Sequence, residues 1–327
     1  MTNISPNLAI GIDIGGTNSE YGIVNHRGEI LIKGKIRTDT YNTVEPYINE
    51  LYENLMPIID DYRKVGNVLG IGVGAPNANY YKGIIEYAPN LRWNGVVPLA
   101  QLITQKFGLP CTLTNDANAA ALGEMIYGAA KGFRDFIMVT LGTGMGSALV
   151  CNRQLVYGQD GYAGELGHTT IIRGGRKHWK TDILGSLESY VSATGVMLTA
   201  KEMLQQSNEY SSLREYDDKL INSRLVYECA MKGDKIAKEV YRFTGQILGE
   251  ALANFVMVTS PEAIVLFGGV IKAGELFLAP AREHMEKNLL PLYKNKVKII
   301  LSELNEADAA ILGASTLVWE LPYVTNV

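Results

Sequence analysis

The chain has 327 residues, 47% of them hydrophobic and 20% charged, the balance of a globular protein long enough for two domains. A net charge of −4 supplies no field to attract nucleic acid or an anionic membrane surface. Three widely spaced cysteines (Cys111, Cys151, Cys229) form no disulfide framework and suit a reducing, cytoplasmic setting, and the start of the chain lacks the basic segment of a signal peptide.

In chain order, the first element is the most informative. Residues 9–14 are an apolar run with one carboxylate, Asp13; the run breaks at Gly15-Gly16-Thr17 and resumes over 21–24. This pattern predicts a hairpin whose bare tip offers backbone N–H groups and the Thr17 hydroxyl to an anion. Asp13 beside it can hold a magnesium ion through water. Residues 8–36 together read as two or three strands, with turns at Gly15-Gly16 and at His26-Arg27-Gly28. Helical spacing follows over 44–64, a short buried strand over 68–73, a helix over 98–107 stopped at Gly108, and a strand over 111–114. An Ala-rich helix covers 118–127. Asn115 and Asp116 stand where that strand gives way to helix. They suit helix caps, or, for Asp116, acceptance of a proton from a sugar hydroxyl during phosphoryl transfer.

The hairpin grammar returns over 136–150, with Gly142-Thr143-Gly144 at its tip. Each hairpin alone reads equally as a tight turn; two of them imply an internally duplicated nucleotide-binding fold, a kinase-like signal. No Gly-x-x-x-x-Gly-Lys-Ser/Thr loop is present, and Gly142–Gly146 lacks the strand–helix setting of a dinucleotide site. Glu165 and His168, among Gly161, Gly164 and Gly167, suit a polyol-binding loop or a plain surface loop. Glu188 stands at a helix start. A charged helical stretch covers about 195–258, and a buried strand over 263–267 ends on Gly268-Gly269, a turn or a close approach to adenine or ribose. The apolar tract 245–271 contains Glu250, Pro261 and Glu262 and reads as core rather than a membrane span. A helix, a strand over 297–301 and an Ala-rich helix over 308–319 complete an α/β chain with mixed sheets.

The ordered set Asp13-Ile-Gly-Gly-Thr17, Ala88-Pro-Asn90-Leu-Arg-Trp93, Thr114-Asn-Asp116-Ala-Asn118, Leu141-Gly-Thr-Gly144, Gly164-Glu-Leu-Gly-His168, Leu187-Glu188 and Gly268-Gly269 resembles the ROK family of bacterial sugar kinases, its glucokinases in particular. That family is a branch of the actin-like ATPase superfamily, and the resemblance covers nearly the whole chain. It implies a duplicated actin-like (ribonuclease H-like) α/β fold, with a small domain of residues 1–118 plus 309–327, a larger one of 119–308, and a cleft between them. It implies ATP and Mg²⁺ on Asp13, Gly15, Gly16, Thr17, Thr143, Gly144, Gly268 and Gly269. It implies sugar on Asn90, Asn115, Asp116, Glu165, His168 and Glu188, with Asp116 the catalytic base. The implied reaction is phosphorylation of glucose at the 6-hydroxyl, with N-acetylglucosamine or N-acetylmannosamine as alternative substrates, in a homodimer. The family's repressors carry an N-terminal winged helix-turn-helix, for which a first hairpin starting at residue 8 leaves no room. A non-catalytic, sugar-responsive regulator is the alternative of another class.

Two departures from the family pattern stand out. Most members follow the Gly-His with Cys-x-Cys-Gly-x-x-Gly-Cys-x-Glu, whose thiolates join the histidine on a structural zinc. Aligning on Gly185 and Glu188 puts Trp179, Thr181 and Ser186 at those positions. The expectation is no bound zinc, with His168 the one family ligand left and residues 173–186 ordered by packing of Trp179, Ile183 and Leu184. Pro76-Asn77 replaces the usual Pro-Gly, and Asn tolerates positive φ well enough to keep the turn. Valine at Gly16 is expected to abolish ATP binding while sparing sugar binding.

Overall fold

A computed structural model describes residues 5–319; residues 1–4 and 320–327, which the domain expectation included, lie outside the described residues. The chain divides into two compact units. The first runs through Phe133, takes in Arg153–Ala163 and resumes at Ser302; the second holds Arg134–Asn152 and Gly164–Leu301. The first division therefore falls after Phe133, not at residue 118. The helix Asp116–Tyr127 stays with the first unit because it packs on the C-terminal helix Glu306–Trp319. A Cβ at Gly313 would lie 2.2 Å from the Ala119 carbonyl oxygen.

In the first unit, a sheet runs Ile30–Arg37, Asn18–Asn25, Asn7–Ile14, Asn67–Gly74, Cys111–Thr114. The first three strands are antiparallel and the last two join in parallel. The helix Val44–Arg63 buries Tyr47, Ile48, Leu51, Leu55 and Ile59, spaced three and four apart, in the same core as Ile10, Ile12, Ile71 and Val73. Gly11 and Gly72 are register partners, and a Cβ on either would sit within 2.0 Å of a carbonyl oxygen of the C-terminal helix. Bare backbone at this point lets that Ala-rich helix lie directly on the strands. A small sheet of Ala78–Asn79, Ile84–Glu86 and Val96–Val97 was not read from the sequence, because two- and three-residue strands carry no periodicity. Asn77 takes the left-handed conformation (φ 52°), and its side-chain amide donates to the Glu86 and Tyr87 carbonyls.

The second unit repeats the scheme. The hairpin Phe136–Leu141 and Met145–Cys151 is antiparallel, and Ala263–Phe267 then Lys298–Leu301 extend it in parallel. That is the connection pattern of the inner strands of the first sheet, so the duplication implied by the two glycine tips is present as topology. The charged stretch resolves into the helices Ala193–Gln206, Ser223–Met231 and Lys235–Thr259, whose apolar faces share one core with the second sheet. No described helix is long and apolar enough to cross a membrane.

Candidate active site

The candidate residues fall into two groups, one in each unit. In the first unit, Gly15, Gly16 and Thr17 form the tip between the first two strands, closed by Gly15 N–H donating to the Asn18 carbonyl (3.0 Å). The tip is held from beneath. Thr38 N–H donates to the Thr17 carbonyl (2.9 Å), the buried Ser19 and Thr38 hydroxyls share a 2.7 Å hydrogen bond, and Tyr47 donates to Ser19 (2.8 Å). Tyr47 also packs on buried Trp93, with ring centroids 4.6 Å apart, which fixes the loop that presents exposed Asn90. A Cβ at Gly16 would meet the Asn90 carbonyl oxygen at 2.7 Å. The Gly16→Val expectation is therefore corrected: valine would push the loop that carries Asn90 as well as fill the tip, so its effects would not stay at the tip.

Of Asn115 and Asp116, the two residues suited to cap the helix, one does so. Asn115 is the N-cap of Asp116–Tyr127, its Oδ1 accepting from Asn118 N–H at 2.7 Å. Asp116 is thus not needed as the cap; one of its oxygens accepts from Ala117 N–H (2.9 Å) and water reaches its side chain. The surrounding protein still pushes its carboxyl above the usual range, with the Ala117 N–H pulling the other way. Asp13, at the end of its strand in register with Glu20 and Gly74, is pushed up to about 7, first by burial, then by the charges of Asp116 and Glu20. Two acids that repel in this way suit a divalent cation.

A pH dependence follows. Between the ordinary carboxylate range and pH of about 7, the folded protein keeps a proton on Asp13 that the unfolded chain has released. Folding stability therefore falls as pH rises through this window, and the loss is complete above it. Melting temperature, measured in chelator, should drop from pH ~5 to ~8, less steeply for Asp13→Asn. An unchanged slope in that variant would show that Asp13 ionises normally.

In the second unit, the tip Gly142-Thr143-Gly144 is tied to the start of Ala193–Gln206. Ala193 N–H donates to the Gly142 carbonyl (2.9 Å) and the Thr194 hydroxyl to the Thr143 carbonyl (2.8 Å). Gly268 has φ 109° and lies against Leu141, where a Cβ would come within 2.5 Å of a carbonyl oxygen. Gly142 and Gly269 instead face open space, with nothing within 4 Å of a Cβ. Glu165 and His168 bracket the turn Leu166–His168, half or more exposed at Glu165, with His168 Nε2 3.8 Å from a Glu165 carboxylate oxygen. Ser147 fixes this turn, donating to the Gly164 carbonyl and accepting from Leu166 N–H. Glu188 opens the short helix Glu188–Val191 and is buried; its Oε2 accepts from Met145 N–H at 2.5 Å, beside the glycine tip.

Two residues that the sequence reading did not single out, His178 and Arg176, make polar contacts inside the segment without cysteines. His178 is buried, its Nε2 2.5 Å from Glu188 Oε1. Arg176 bonds the Ser189 and Gly195 carbonyls, the Thr199 hydroxyl and Glu202, and stands over the Tyr190 ring at 4.6 Å. These polar anchors order residues 173–186. Of the residues expected to pack in this segment, Trp179 lies against the His178 ring, centroids 4.2 Å apart, whereas the expectation for Leu184 is corrected, since it is 49% exposed. The premise that His168 stands alone is corrected too, since His168, His178 and Glu188 offer ligand atoms within 4.8 Å of one another. Nothing in the run Lys177-His178-Trp179-Lys180 distinguishes it from an exposed basic stretch. A cavity of about 330 Å³ beside Lys235–Thr259, lined by Leu149, Leu166, Ile171 and Phe255, contains none of the candidate residues and no charged group.

A duplicated α/β chain with a bare glycine tip in each half has the fold of the actin-like ATPase class. The ROK family model matches residues 9–320, and the chain belongs to that family. It is 33% identical over 312 residues to a glucokinase of Halalkalibacterium halodurans, covering 94% of each chain. It is 29% identical to a xylose repressor of Caldicellulosiruptor bescii, covering 94% of this chain and 77% of the repressor. Among solved structures it is similar to a ROK glucokinase of Streptomyces griseus in complex with glucose and AMPPNP: TM-score 0.75, 30% identity, 95% of this chain and 98% of that one.

Proposed function

We propose that the protein is an ATP-dependent hexose kinase that phosphorylates glucose at its 6-hydroxyl. The observation that carries this reading is Asp116: Asn115 has taken the helix cap, which leaves a raised-pKa carboxylate available as a base. The likeness to a glucokinase structure that holds glucose and AMPPNP supports the substrates. Asp116 accepts the 6-hydroxyl proton as that oxygen attacks the γ-phosphorus and the bond to the β-phosphate oxygen breaks, releasing ADP. Asn90, Asn115, Glu165, His168 and Glu188 orient the sugar. Gly15, Gly16, Thr17, Thr143, Gly144, Gly268 and Gly269 receive the nucleotide. Asp13 would hold Mg²⁺ through water, and the ion, when bound, neutralises the phosphates. The loose transition state of such transfers leaves the protein mainly the tasks of positioning and charge compensation.

A coupled assay of purified protein with ATP and a panel of hexoses and N-acetylhexosamines tests the reading. Glucose should give the highest kcat/KM. Faster turnover of an N-acetylhexosamine would move the substrate assignment. Sugar binding by calorimetry without turnover of any sugar would instead make the protein a sugar-responsive regulator.

A further inference from the structure

His178 sits in a tight antiparallel loop. Its own N–H donates to the Ile183 carbonyl (2.9 Å) and Gly185 N–H to the Arg176 carbonyl (2.8 Å), which turns the imidazole inward while Lys177 and Lys180 stay exposed. Within the site, His168, His178 and Glu188 have the composition of a metal centre. The hydrogen bonds at the far side of the ring argue against one. His178 Nδ1 faces the N–H groups of Lys180 and Thr181 (both 3.2 Å) and the Thr181 hydroxyl (3.1 Å). A backbone N–H can only donate, so Nδ1 must be the bare, accepting nitrogen, and the ring proton is on Nε2. A metal at Nε2 would require that proton to leave or to move to Nδ1, against two N–H donors. The residues present therefore do not fit a bound zinc.

Nε2–H instead points at Glu188 Oε1, 2.5 Å away, while Glu188 Oε2 takes Met145 N–H. A carboxylate held at both oxygens cannot rotate, and each oxygen keeps a lone pair for a substrate hydroxyl. We propose that His178, fixed as the Nε2–H tautomer by Thr181 and Lys180, is the positioning residue for Glu188, a hydrogen-bonded strut that does at this site the ordering work a metal could do. The proposal rests on the sugar-kinase reading for its kinetic consequence but not for its structure.

Three measurements test it. In metal-free, ¹⁵N-labelled protein, the His178 ring should show a protonated Nε2 and an unprotonated Nδ1; the opposite tautomer overturns the proposal. Calorimetric titration of the same protein with zinc alone should show no stoichiometric binding; one equivalent lost in His178→Ala would make the cluster a metal centre. In kinetics, His178→Ala should raise the glucose KM by about tenfold or more, the scale of a hydrogen bond to a charged group, with the ATP KM moved about threefold at most. His178→Gln, whose amide can still donate to Glu188, should recover most of the lost glucose affinity. Equal damage in the two variants, or parallel loss of ATP affinity and melting temperature, would make His178 a general structural residue. A wild-type protein inactive on every sugar would refute the kinase reading, while the tautomer and the zinc titration would still decide the strut.

Discussion

Asp116→Asn lowers kcat by roughly 10²–10⁴, the usual range for removing general-base help, while glucose and ATP bind with affinities close to wild type. The substitution is clean for a structural reason. The helix start is capped by Asn115, and the Asp116 oxygen that accepts from Ala117 N–H has an equivalent in the asparagine amide. Folding should survive, and single-turnover kinetics should place the loss in the chemical step. A second readout comes from Asp13. Part of its elevation to about 7 is the charge of Asp116, so the variant should move the Asp13 titration downward. A kcat within a few-fold of wild type would show that Asp116 is not the base.

Gly269→Leu weakens nucleotide binding strongly and leaves the fold and sugar binding intact. A Cβ at Gly269 meets nothing within 4 Å, and its backbone lies outside the left-handed region, so the side chain enters open space beside the end of Ala263–Phe267. If ATP backbone contacts are made there, affinity should fall by roughly a hundredfold, the scale of losing one or two hydrogen bonds to a charged group. Calorimetry with AMPPNP and glucose separately, together with a melting curve, makes the comparison. Unchanged AMPPNP affinity would remove Gly268-Gly269 from the nucleotide site. Gly16→Val cannot serve this purpose, because its side chain would run into the Asn90 carbonyl.

How much of this was written in the sequence follows the range of each interaction. Strands with two-residue periodicity, helices with apolar faces three and four apart, and glycine tips are local patterns. They predicted the strands Cys111–Thr114 and Ala263–Phe267 to the residue and both hairpins in outline. The ordered motifs carried the family. Two-residue strands such as Ala78–Asn79, and the irregular chain from Gly174 to Gly185, have no period to read.

The sequence by itself determined the α/β class, the duplicated hairpins and the family, because these depend on residues close together in the chain or on motifs in fixed order. Only the tertiary structure decided which residue of Asn115-Asp116 caps the helix and that a side chain at Gly16 would meet the Asn90 carbonyl. It alone showed that the loop without cysteines is anchored by Arg176 and His178. Each of these turns on where a side chain or carbonyl finds its partner, and for His178 the partner is a carboxylate ten residues away across a turn with no periodic signal. Burial converts that meeting into a directional hydrogen bond, and burial is a property of the packed molecule.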